Sequence, residues 1–102
     1  MANAKGPGSK TAKRDCYNVT VQGINVKVAK DVIDDIDLLE DLAALDGGDV
    51  FAFPRVCKRL FGDDYQRVKK ELADKRGITT ATAMSEFFEK VLKACNALSA
   101  KN

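Results

Sequence analysis

Histidine and tryptophan are absent from this chain of 102 residues. Without histidine no Cys-His or Ser-His nucleophile pair can form, and the commonest general base is missing. The three cysteines, Cys16, Cys57 and Cys95, are odd in number and widely spaced, which argues against a disulfide framework. The same spacing argues against zinc, whose sites use close C-x-x-C pairs or added histidines. Cys57 and Cys95 fall among apolar residues of expected helices and read as small hydrophobes. No apolar run approaches the roughly 20 residues that span a bilayer, and residues 1–13 lack the apolar stretch of a signal peptide, so the cytoplasm is the expected location. Phosphate loops of the G-x-x-x-x-G-K-[ST] or G-x-G-x-x-G type are missing too; Gly6-Pro7-Gly8 lies outside any strand-to-helix junction.

What is present describes one folded domain. Hydrophobic residues make up 45% and charged residues 31% of the chain, and this length supports a single core. Residues 1–14 carry Gly6, Pro7, Gly8 and Ser9, with Lys5, Lys10, Lys13 and Arg14 and no acid. They read as a disordered basic arm preceding a domain over 15–102. The formal net charge is +2, so taking away the four charges of the arm leaves −2 on the remainder. The expected folded part is not basic, and general nucleic-acid affinity has little support.

Periodicity orders the domain. Tyr17, Val19 and Val21 alternate with polar residues, Gln22-Gly23 can turn, and Ile24, Val26 and Val28 alternate again, which predicts a β-hairpin. An isolated hairpin is marginal in water, so its apolar face must pack on helices or pair with another chain. From Asp31 to Gly48 the spacing predicts a helix whose apolar stripe is Ile36, Leu39, Leu42 and Ala43, capped by Asp34 or Asp35 and ended by Gly47. A second helix begins near Phe53, with Pro54 in its first turn and Val56, Leu60 and Phe61 as its stripe, and Gly62 breaks it. Asp63 or Asp64 caps a third, with Tyr65, Val68 and Leu72 on one face, and Gly77 closes it. Thr79 or Thr80 starts the last and longest, carrying Met84, Phe87, Phe88, Val91, Leu92, Cys95 and Leu98. The expected class is α+β, predominantly helical, with an N-terminal β-hairpin followed by about four helices.

Charge is sorted along the chain. Asp31, Asp34, Asp35, Asp37, Glu40, Asp41, Asp46 and Asp49 form an interval without a basic residue, while residues 55–76 net +4. The acids do not follow the alternating ligand positions of a calcium loop, because leucines and isoleucines interrupt them. A helix-turn-helix DNA reader would place Asp63 and Asp64 against phosphate, which repels them. Separated acidic and basic faces suit protein contact or head-to-tail self-association. Phe51 and Phe53, before Pro54, read either as core plugs or as exposed anchors for a partner's pocket. The candidate partner-binding residues are Asp34, Asp37 and Asp41, then Phe51 and Phe53, then Arg55, Lys58, Arg59, Arg67 and Lys70.

From Tyr17 to Asn102 the order of features resembles the tail assembly chaperones encoded beside the tape measure gene of long, non-contractile-tailed bacteriophages and prophages. The matching parts are Asp34-Asp35-Ile36-Asp37-Leu38-Leu39-Glu40, the break Gly47-Gly48-Asp49, and Phe53-Pro54-Arg55 leading to Arg59-Leu60-Phe61-Gly62. To these belong the basic helix from Asp63 to Arg76, then Gly77-Ile78 and the helix entered through Met84-Ser85-Glu86-Phe87-Phe88. The resemblance implies a protein that binds the tape measure protein, keeps it soluble and helps recruit tail tube protein, then leaves before the virion matures. It implies no catalytic step and no cofactor. The alternatives are a small DNA-associated regulator and a structural head-tail joining protein.

Titrating the protein with zinc, calcium and nucleotides in a calorimeter is expected to give no specific heat. A stoichiometric micromolar site for any of them would overturn the non-enzymatic, metal-free expectation.

Overall fold

The computed structural model describes residues 15–100; the basic arm of residues 1–14 lies outside them. Strand β1 (Cys16–Val21) and strand β2 (Ile24–Ala29) form an antiparallel hairpin. Helix α1 (Lys30–Ile33) is a single turn, followed by α2 (Ile36–Asp46), α3 (Ala52–Phe61), a 3-10 turn over Gly62–Asp64, α4 (Tyr65–Glu71) and α5 (Ala81–Ala100). The α+β, mostly helical class is as the sequence predicts.

The hairpin forms at Gln22-Gly23 because both residues take positive φ, 53° and 78°, the mirror-image turn that matches the twist of paired strands. Its register sets Val19 opposite Val26 and Val21 opposite Ile24, so one face is continuously apolar. That face packs against helices, with α5 beside β1 and α3 beside β2. Val26 and Val28 are fully buried there with Val56, Phe87 and Val91. Phe61 lies near the centre: its ring stands 5.6 Å from that of Phe87 and 6.4 Å from that of Phe88. The chain turns immediately afterwards at Gly62, whose φ of 52° and ψ of −125° strongly favour glycine. No charged or polar residue is buried among the described residues.

The free edge of β2 is covered by side chains. Asp64 accepts a hydrogen bond from the Lys27 backbone N–H at 3.0 Å, and Arg67 donates to the Asn25 carbonyl oxygen. Asp64 and Arg67 are themselves paired at 3.1 Å, so a carboxylate and a guanidinium stand where a third strand would. This corrects two expectations. Asp64 makes no side-chain cap to α4, because its carboxylate is committed to β2 and Arg67. Gly77 does not close α4, which ends at Glu71; at φ 83° it closes a turn in which its N–H bonds the Asp74 carbonyl.

Caps elsewhere follow the sequence. Asp35 accepts from Asp37 N–H at 2.8 Å at the start of α2, and Thr80 Oγ1 accepts from Ala83 N–H at 3.1 Å at the start of α5. The expected helix from Asp31 is divided, however, with a break at Asp34-Asp35 between α1 and α2. The stripe on α2 is also corrected. Ile36 and Leu39 are 64% and 47% exposed and Ala43 is exposed as well; of the expected stripe only Leu42 packs against the core, beside Leu38, which is 2% exposed. Both rows have helical spacing; α2 is turned so that the row beginning at Leu38 goes inward.

This orientation has a direct test. Leu38→Ala is expected to lose about 2–5 kcal/mol in urea unfolding, as core leucines do. Leu39→Ala, one residue away, is expected to change stability by no more than about 0.5 kcal/mol. The opposite order would mean that α2 is turned the other way.

Candidate functional site

The acidic and basic segments meet inside one molecule. Asp41, half-buried between α2 and α3, accepts hydrogen bonds from Arg55 Nε at 3.2 Å and Arg59 Nε at 3.0 Å. Arg59 also approaches Asp37 at 4.0 Å, and Arg55 approaches Asp49 at 3.9 Å while donating to the Phe51 carbonyl. Arg55 and Arg59 lie four residues apart, so they share one face of α3 and reach the same carboxylate. Partial desolvation raises the Asp41 carboxyl, but the hydrogen bonds and charges of Arg59 and Arg55 together outweigh it and hold it below the usual carboxylate value. Four of the candidate binding residues, Asp37, Asp41, Arg55 and Arg59, are thus joined to one another.

The remaining candidates separate. Phe53 is core-facing, its ring edge-on to Phe88 at 5.9 Å, and Phe51 is 80% exposed two residues earlier. Phe53 is therefore the core plug, and Phe51 is the exposed one of the two. Lys58 and Lys69 both place their ammonium groups over the Tyr65 ring, 5.9 Å and 5.6 Å from its centre. Arg67 is held by Asp64, Glu71 and Asn25. Lys70 and Asp34 are exposed and make no ion pair among the described residues.

Sequence reasoning missed the apolar part of this surface. Ile36 and Leu39 project outward from α2, and Val50, 66% exposed, precedes Phe51 in the turn that leads to α3. The signal was available in composition: α2 holds Ile36, Leu38, Leu39, Leu42, Ala43, Ala44 and Leu45 among eleven residues, more than one buried face accommodates. Acidic residues border the same helix at Asp37, Glu40 and Asp46.

A separate open groove of about 520 Å³ runs between the hairpin and the end of α3, lined among others by Cys16, Lys27, Val32, Arg59 and Asp63. Arg59 and Asp64 on its wall are already paired with Asp41 and Arg67. The Cys57 thiol is pushed up to about 12 by burial and remains protonated at neutral pH. Among the described residues no group of three or more His, Cys, Asp or Glu side chains is placed to hold a metal, and no helix is long and apolar enough to cross a membrane. Compared with family models, curated proteins and solved structures, the chain matches none.

The cluster around Asp41 predicts an acid dependence. A carboxyl whose folded-state value is lowered adds stability above its unfolded value, about 4, and loses it as pH falls through the lower folded-state value. Asp41→Asn is therefore expected to melt below the wild type at pH 7, with the gap in Tm closing below about pH 4. A gap that does not change with pH would show that the charge of Asp41 contributes nothing.

Proposed function

We propose that this chain is a tail assembly chaperone of a long-tailed bacteriophage or prophage. It binds the tape measure protein, keeps it soluble and helps recruit tail tube protein, working without catalysis in the host cytoplasm and leaving before the tail is complete. The observation that carries the reading is that, of the five large apolar side chains left in solvent among the described residues, four, Ile36, Leu39, Val50 and Phe51, belong to α2 and the turn after it, Ile78 being the fifth. Exposed apolar side chains gathered on one helix and its following turn mark a surface for another protein.

The order of elements agrees with the feature order on which the resemblance rests: an acidic helix, a glycine break, a helix entered through Phe53-Pro54, a basic helix, and a long final helix. A holdase must prefer apolar segments to water yet release them to competing tube subunits, and a shallow exposed face gives contacts of that modest strength. A DNA-reading role draws little support from the basic helix. Arg67 is tied to two carboxylates and a backbone oxygen, and Arg55 and Arg59 are turned toward α2.

Co-expression with the neighbouring tape measure protein tests the proposal. The soluble fraction of tape measure protein is expected to rise severalfold with the chain present, and purified virions to contain none of it. Unchanged solubility defeats the proposal, and stoichiometric presence in virions replaces it with a head-tail joining role.

A further inference from the structure

The outward face of α2 sorts its charges in a way that describes its partner. Carboxylates turned toward α3 are matched: Asp37, Asp41 and Asp49 meet Arg55 or Arg59. Glu40 follows Ile36 by four residues and Asp46 follows Leu39 by seven, so each continues an apolar row along the outer surface. Both are exposed and make no ion pair among the described residues. α2 contains no basic residue, so the helix cannot neutralise this face itself.

We infer that the α2 face formed by Ile36, Leu39 and Ala43, together with exposed Phe51 in the turn after α2, receives a cationic amphipathic helix whose apolar row is flanked by Lys or Arg, an inference that rests on the chain being a binder of apolar helical segments. The occupant is helical because a helix surface has no free backbone groups to pair with an extended chain; a partner that satisfies its own backbone loses nothing by docking there. The apolar side chains recur at three- and four-residue spacing over about two turns, the spacing that a second helix meets with its own ridges. The occupant is cationic because the unmatched charges beside that row are all negative.

A second copy of this chain does not fit the description. The apolar sides of α3 and α5 are buried in their own core, and α4 has only seven residues. On the outside of α5, Lys90 and Lys93 accompany Glu86 and Glu89 with no large exposed apolar side chain beside them.

The test uses the full chain and two dye-labelled helical peptides of about 18 residues, five turns. Each has a leucine row, flanked by lysine in one and glutamate in the other. Fluorescence anisotropy at about 0.05 M salt, where charges are weakly screened, is expected to show the lysine peptide binding at least about tenfold tighter. Leu39→Ser combined with Phe51→Ser should abolish that binding while leaving the circular dichroism melt intact. Glu40→Lys with Asp46→Lys should reverse the preference toward the glutamate peptide. Equal binding of the two peptides, no binding of the lysine peptide, or binding unaffected by the serine pair overturns the inference. So does a wild-type dimer in sedimentation that Leu39→Ser dissolves, which would make a second copy the occupant. The broader proposal fails separately: a chain that binds the lysine peptide without solubilising the tape measure protein retains the surface and loses the chaperone role. Conversely, a serine-pair variant that still solubilises the tape measure protein retains the role and loses the surface.

Discussion

The orientation of α2 depends on where Asp41 can go. Its carboxylate sits between two guanidinium groups of α3, and Leu38 and Leu42 turn inward with it because they share its side of the helix. Turning the helix to bury Ile36 and Leu39 would draw Asp41 away from Arg55 and Arg59, leaving those charges to find other partners. Partly exposed ion pairs contribute little net energy, so burial of the leucine row holds the helix down while the ion pairs select its rotation. Everything argued about the exposed apolar face follows from that choice.

A similar division of labour holds at the hairpin. Two strands alone would not persist in water, and the apolar face of these two is closed by Phe61, Phe87 and Val91 from two helices that are distant in sequence. Their free edge along β2 is closed by Asp64 and Arg67, one residue accepting and the other donating as a neighbouring backbone would. An acid next to a glycine break in sequence ordinarily reads as a helix cap. Here the carboxylate serves a strand 37 residues away, and α4 starts without it.

The candidate site was legible only in part. The Phe51–Pro54 junction was identifiable because aromatics before a first-turn proline sit off any long apolar stripe, yet sequence could not say which phenylalanine pointed in. Their separation follows from α3 beginning at Ala52: Phe53, inside the first turn, faces Phe88, and Phe51, before it, faces solvent. The charged segments were identified as complementary, and the complementarity proves to be largely internal, because α2 and α3 are joined by a turn short enough to bring their opposite charges together.

Local chemistry determined the elements: the alternation and Gln22-Gly23 for the hairpin, Asp35 and Thr80 for two helix starts, Gly62 for the turn after α3, and the apolar rows of α3, α4 and α5 for their buried faces. Those features depend on neighbours within a few residues, and the alternative rotations of α3, α4 and α5 would bury charge. On α2 that rule has no force, because apolar residues occupy most of its circumference and two rows satisfy the same period. Only the tertiary structure decided between them, since the deciding partners, Arg55 and Arg59, lie on another helix and act through distance rather than sequence spacing.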